Sequence, residues 1–213
     1  MKANLAVLFL SLVGAIAVVP ASASTVYSNG SSTYNLDGQS INPGSLGTVT
    51  DSFTLPFNSN ITGVTFDVWL DPGDTLSSVD WAIGTSQFGG TFATVDPTGT
   101  LLVTNDSGFD VYSETFSILP NLVLPTGTTY WLTLQNAVTA LGASDGTPYW
   151  DVSDGPSIAA NGFGPLAGAE GDGTTGSETF QIMGTPTPEP SSFLLLGSGL
   201  LGLAGLLRRK IKA

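Results

Sequence analysis

Apolar and polar residues alternate with a period of two in short stretches along most of the chain, the signature of half-buried β-strands. In Val64-Thr65-Phe66-Asp67-Val68-Trp69-Leu70 the apolar phase is Val64, Phe66, Val68 and Leu70, which puts Trp69 on the polar face with Thr65 and Asp67. In Thr129-Tyr130-Trp131-Leu132-Thr133-Leu134-Gln135 the apolar phase is Tyr130, Leu132 and Leu134, and Trp131 shares the wet face with Thr129 and Thr133. Trp81, by contrast, is in phase with Val79 and Ile83 and is expected in the core.

Strands are predicted at Thr25–Ser28, Thr33–Leu36, Gly47–Leu55, Ile61–Leu70, Thr75–Gly84, Thr91–Val95, Leu101–Asn105, Val111–Leu119, Thr128–Gln135, Tyr149–Ser153 and Ser177–Met183. Between them lie Asn42-Pro43-Gly44, Asp71-Pro72-Gly73-Asp74, Asn105-Asp106-Ser107-Gly108 and Leu124-Pro125-Thr126-Gly127, each with the Pro, Gly or Asx residue a turn needs. So many short strands at roughly ten-residue spacing predict an all-β fold, a two-sheet β-sandwich with jelly-roll-like connections. From Asp154 to Ser177 seven glycines break the pattern, and a long loop is expected there.

Two continuous apolar runs depart from the alternation, one at each end. Lys2, the run Leu5 to Val19 and the small residues Ala21-Ser22-Ala23 form an export signal, residues 1–23, cut before Ser24. It directs the chain into the Sec translocon. At the other end, Ser191 to Leu207 carries no charge and is long enough as a helix to cross a bilayer core of roughly 30 Å. The basic cluster Arg208-Arg209-Lys210-Ile211-Lys212 after it stays cytoplasmic, so the body faces outward. The expected organisation is a signal peptide at 1–23, a β-sandwich body at 24–185 and a C-terminal sorting segment at 186–213, with a membrane helix at 191–207, a basic tail at 208–213 and Thr185 to Pro190 as an extended linker.

Pro188-Glu189-Pro190, the apolar run and Arg208-Arg209-Lys210 together resemble the PEP-CTERM sorting signal of Gram-negative bacteria that make extracellular polysaccharide. The resemblance implies processing by an exosortase, a membrane enzyme that cuts near Pro-Glu-Pro and releases or transfers the body. The alternative is a permanent single-span anchor. Segments Gly63–Gly84, Gly127–Leu134 and Tyr149–Ser157 also resemble a body domain of one set of PEP-CTERM proteins, which implies no activity.

All five basic residues lie in the two targeting segments, and sixteen of the seventeen acids lie between Ser24 and Thr185. The processed body therefore carries a net charge of −16. Such a chain repels nucleic acid and anionic lipid and attracts divalent cations. With no His and no Cys, a Ser-His-Asp triad, a thiol nucleophile and a nitrogen or sulfur metal site are all excluded. Glycosidase chemistry would need two paired carboxylates, for which Glu114, Asp151 and Glu178 are the candidates, but nothing in the sequence pairs them. The body is therefore read as non-enzymatic.

Two binding chemistries remain. Sugars stack their C–H faces on flat aromatic rings beside a few polar groups, which singles out Trp69, Trp131, Tyr149, Trp150 and Asp151 as carbohydrate-binding residues. Calcium takes hard oxygen ligands, for which Asp71, Asp74 and Asp80 on or near one turn, or Asp151 and Asp154, are the candidates; a structural calcium is the one cofactor considered. The expectation is an exported envelope or matrix protein, held by non-covalent sugar contacts of its body.

Overall fold

The computed structural model describes residues 23–32, 38–43, 47–106, 108–142, 148–162, 176–187, 196–204 and 208. Among these residues fourteen strands run in chain order: β1 Ser24–Ser28, β2 Gln39–Ser40, β3 Thr48–Thr54, β4 Ser59–Leu70, β5 Leu76–Gly84, β6 Ala93–Val95, β7 Thr98–Asp106, β8 Phe109–Leu124, β9 Thr129–Thr139, β10 Tyr149–Trp150, β11 Val152–Ser153, β12 Ala159–Asn161, β13 Ser177–Glu178 and β14 Phe180–Pro186.

They form two facing antiparallel sheets. In the first, β4 is the central strand: β8 pairs along one side of it, and β14 and then β10 pair end to end along the other. β7 extends this sheet beyond β8, and β1 and β2 extend it beyond β14 and β10. The second sheet has the order β12-β3-β9-β5-β6, and a two-stranded pair, β11 with β13, stands apart. This is the expected all-β sandwich.

The core lies where the predicted apolar phases meet. Val64, Phe66, Val68 and Leu70 of β4 face Tyr130, Leu132 and Leu134 of β9, all buried. A chain of rings stitches the sheets together. Tyr130 packs on Phe53 with centroids 5.6 Å apart, Phe53 on Phe180 at 6.0 Å, Phe180 on Trp150 at 5.9 Å, Trp150 on Phe66 at 6.4 Å, and Phe116 on Trp81 at 5.4 Å. Tilted and edge-on pairs at such spacings add to simple burial.

Four expectations are corrected. Tyr149–Ser153 is not one strand: Asp151 interrupts it, so Tyr149 and Trp150 pair with β4 while Val152 and Ser153 pair with β13. Ser177–Met183 is likewise split at Thr179. The glycine-rich stretch contains β12, which pairs with β3. Thr185 to Pro190 does not begin as a free linker, because Thr185 and Pro186 belong to β14 and the Thr187 amide donates to the Asn58 carbonyl at 2.7 Å. The strand predicted at Thr33–Leu36 lies outside the described residues.

Of the sorting segment, residues 196–204 are helical, within the expected span 191–207. Among the described residues no helix is long and apolar enough to cross a membrane. Pro188, Glu189, Pro190, Arg209, Lys210 and Ala21 lie outside the described residues; Arg208 is helical, and Ala23 directly precedes β1, which opens at Ser24.

Candidate functional site

The far end of β4 brings together two of the aromatic residues that the sequence singled out, Trp69 and Tyr149. Trp69 points away from the sandwich interior, as its phase requires, but it is only 1 % exposed. The wet-face reading is thus corrected: the outer face of the first sheet is itself covered here. Tyr149 lies opposite Trp69 in the ladder, and Phe109, at the start of β8, packs edge-on against both rings, with centroids 6.2 Å from Trp69 and 6.2 Å from Tyr149.

Gly38 closes the fourth side. A Cβ built there would fall 2.8 Å from the Trp150 carbonyl oxygen and 3.0 Å from the Tyr149 Cβ, so the chain passes this close only because the residue is glycine. Gly38, Trp69, Phe109 and Tyr149 line an open cavity of about 290 Å³. Trp69 is its floor; the half-buried Phe109 and Tyr149 are its walls.

Asp151 fixes the floor. Its Oδ1 accepts the Trp69 indole N–H at 2.6 Å, its Oδ2 accepts the Ser32 hydroxyl, and its backbone carbonyl accepts the Thr179 amide at 2.7 Å. Asp151 is fully buried and holds the tryptophan from behind. Its position follows from the break in the strand, where one residue leaves the first sheet before β11 begins.

The remaining carbohydrate candidates are dispersed. Trp150 alternates to the opposite side of β10 from Tyr149, is fully buried, and donates its indole N–H to the Thr179 carbonyl at 2.8 Å. That residue is core, not binding surface. Trp131 is half-buried on the second sheet, between Ser52 and Gly84, far from the cavity in the topology. Phe109 escaped the sequence reading because it stands alone after a turn, with no alternation to give it a face.

The calcium candidates are not brought together. Asp74 Oδ1 accepts the amides of Thr75 at 2.7 Å and Leu141 at 3.0 Å, while Asp80 accepts from Thr94 Oγ1 at 2.5 Å and Asn136 Nδ2 at 2.8 Å. Asp71 opens the Asp71–Asp74 turn, its carbonyl accepting the Asp74 amide at 2.9 Å, with Gly73 at φ 78°. Among the described residues no three Asp or Glu side chains converge as metal ligands would.

The three carboxylates considered for glycoside chemistry, Glu114, Asp151 and Glu178, are all buried. Glu114 lies on β8 opposite Phe66, facing the interior, and burial pushes its carboxyl up to about 7. Glu178 lies on β13, on the other flank of β4, beside Asp51. Asp51 is an interior acid of β3 that the sequence did not single out. Burial pushes it up to about 6, against donors that include the Glu178 amide at 2.6 Å and Asn29 Nδ2 at 2.9 Å. None of these groups lines the aromatic cavity.

A family model for the PEP-CTERM protein-sorting motif matches residues 186–210. No curated protein matches the chain.

Proposed function

Since the chain carries a PEP-CTERM sorting motif and is therefore an exported protein that an exosortase sorts to the cell surface, we propose that its body is a non-enzymatic module binding carbohydrate of the surrounding polysaccharide matrix. The observation that carries this reading is the cavity whose half-buried rings, Phe109 and Tyr149, stand over the buried Trp69, aromatic walls of the kind that sugar C–H faces stack on.

The polarity of β4 supports the same reading. The chain leaves the body at the Ser59 end, where Pro186 pairs with Ser59, and the cavity sits at the Trp69 end. Ten residues of strand at about 3.3 Å each place the two roughly 30 Å apart. While the tail is attached, the cavity points away from the membrane.

The test is retention of the mature body on the producing cell's own polysaccharide. Tyr149→Ala and Phe109→Ala are expected to abolish retention with folding intact, and Trp131→Ala, on the other sheet, to leave it unchanged. Retention that survives both cavity substitutions overturns the reading. Release of reducing sugar by the body would overturn its non-enzymatic part. Exosortase processing, as opposed to permanent anchorage, predicts a species in the medium that lacks Arg208 to Ala213 by intact mass.

A further inference from the structure

The end of the sandwich from which the tail departs differs from the rest of the body in charge. It is built from the start of β1, the β3–β4 connection, the end of β8, the β8–β9 turn and the end of β14: Ser24 pairs with Gly184, Pro186 with Ser59, Ser59 with Leu124, and Thr54 with Thr129. Residues 52–66, 115–144 and 179–187 contain no Asp or Glu, in a body of net charge −16. Along β4 the first acid is Asp67, eight residues from Ser59, and along β8 it is the buried Glu114. Asp51 of β3 is fully buried. Up to Thr187 this pole has no acidic side chain, while the opposite end carries Asp71, Asp74 and Asp110.

It also exposes large apolar side chains. Phe57, in the β3–β4 connection, is 59 % exposed, Val123 is 66 % exposed, and Leu119, in the irregularity of β8 opposite Ile61 and Gly63, is 84 % exposed. Beside them Thr126 is tied to the β3–β4 connection, its amide donating to Asn58 Oδ1 at 2.8 Å and its hydroxyl to the Leu55 carbonyl at 2.7 Å. These two bonds tie the β8–β9 turn to the β3–β4 connection.

The reach of the chain says what covers this pole. Thr187 is held to Asn58 by both its amide and its hydroxyl, at 2.7 and 2.9 Å. Only Pro188, Glu189 and Pro190 separate it from the uncharged run that starts at Ser191. Thr187 and Ser191 are four residue steps apart, at most about 14 Å even fully extended, so a tail seated in the bilayer brings the pole close to the headgroups. We propose that the acid-free pole bearing Phe57, Leu119 and Val123 is the body's membrane-facing surface, seated on the lipid bilayer while the tail is attached.

The charge pattern fits this occupant. Anionic headgroups repel carboxylates within a Debye length of about 8 Å. A pole free of acids lets the body approach where its other surfaces would be pushed away, and apolar side chains at its rim settle into the interface. The inference rests on the sorting motif and not on the carbohydrate cavity.

The sequence has no cysteine, so single probes can be placed cleanly. The full chain is reconstituted in vesicles of phosphatidylethanolamine and phosphatidylglycerol. A fluorophore is attached at Phe57→Cys, at Val123→Cys, or at Thr75→Cys on the opposite end, and its quenching by brominated lipid is read. Quenching several-fold stronger at positions 57 and 123 than at 75 is expected. Equal quenching at all three positions, or failure of the full chain to float with the vesicles, overturns the proposal. Cross-linking of the Phe57→Cys probe to a membrane protein, without lipid quenching, assigns the pole to a protein partner instead and also overturns it. Loss of polysaccharide retention in the cavity variants bears on the cavity alone.

Discussion

Trp69 and Asp151, 82 residues apart in sequence, form a buried donor–acceptor pair, the indole Nε1 to the carboxylate Oδ1 at 2.6 Å. The pair turns a tryptophan on the outer face of a sheet into a structural member. Trp69→Ala therefore does two things at once: it opens a void beneath Phe109 and Tyr149, and it strips Asp151 of a donor. A loss of about 3–5 kcal/mol is expected, measured by urea denaturation. A melt unchanged from wild type would show that the ring is surface after all.

Asp151→Ala separates the polar contribution from the packing. It leaves the buried Trp69 N–H and the Ser32 hydroxyl without their acceptor, at a cost of about 1–3 kcal/mol for each group left unsatisfied. Trp69→Phe removes the donor as well, so the double variant is expected to be less destabilised than the sum of the two single variants. A double-mutant cycle with no coupling would show that the pair contributes nothing beyond its separate members.

What the sequence made legible here was phase, and what it hid was coverage. The alternation in Val64–Leu70 correctly set Trp69 opposite the core residues Phe66 and Val68. It could not show that Gly38, Phe109 and Tyr149, from three distant segments, roof that outer face. Trp150 misled for the converse reason, since a two-residue strand offers no alternation to read, and its ring went inward beside Phe66 and Phe180. The tail was legible because its signal is local: Pro188-Glu189-Pro190, an uncharged run and a basic end stand in one contiguous stretch. The interior acids Asp51 and Glu114 sit on apolar phases, at Val49-Thr50-Asp51-Ser52-Phe53 and Glu114-Thr115-Phe116, and their burial was available from that spacing.

Gly38→Ala is expected to destabilise the fold by about 1–3 kcal/mol, because the added methyl meets the backbone carbonyl of Trp150, which cannot rotate away. The same substitution narrows the cavity, so retention on polysaccharide falls together with stability. A change that lowers retention with the melting temperature intact would show that the chain at Gly38 moves aside.

Asp74 joins the β4–β5 turn to the end of β9 by accepting the amides of Thr75 and Leu141. Asp74→Ala leaves these amides without their acceptor and is expected to lower the melting temperature by several degrees, for a loss of about 1–2 kcal/mol. Because its Oδ1 is occupied by amides, the drop is expected to be the same in calcium and in chelator. A wild-type melting temperature that rises with calcium, and loses that rise in Asp74→Ala, would reinstate the acid as a ligand.

Glu114 and Asp51 give the body a stability that falls as pH rises. Burial raises the Glu114 carboxyl from 4.5 to about 7 and that of Asp51 from 3.8 to about 6, so between those limits the folded chain binds more protons than the unfolded one. Stability is then fully present below the unfolded values, declines across the window, and levels off above about pH 7. Asp67, raised by burial as well, acts in the same direction. A shift of this size in one carboxyl corresponds to about 3 kcal/mol. Glu114→Gln keeps the shape of the side chain and removes its charge, so it is expected to be more stable than wild type at pH 8 and to level off near pH 6, where Asp51 completes its titration. Urea midpoints at pH 4, 6 and 8 decide it. A wild-type body most stable at pH 8, or a Glu114→Gln variant with the wild-type slope, would mean that Glu114 is ionised in the fold with a counter-charge or water at its side.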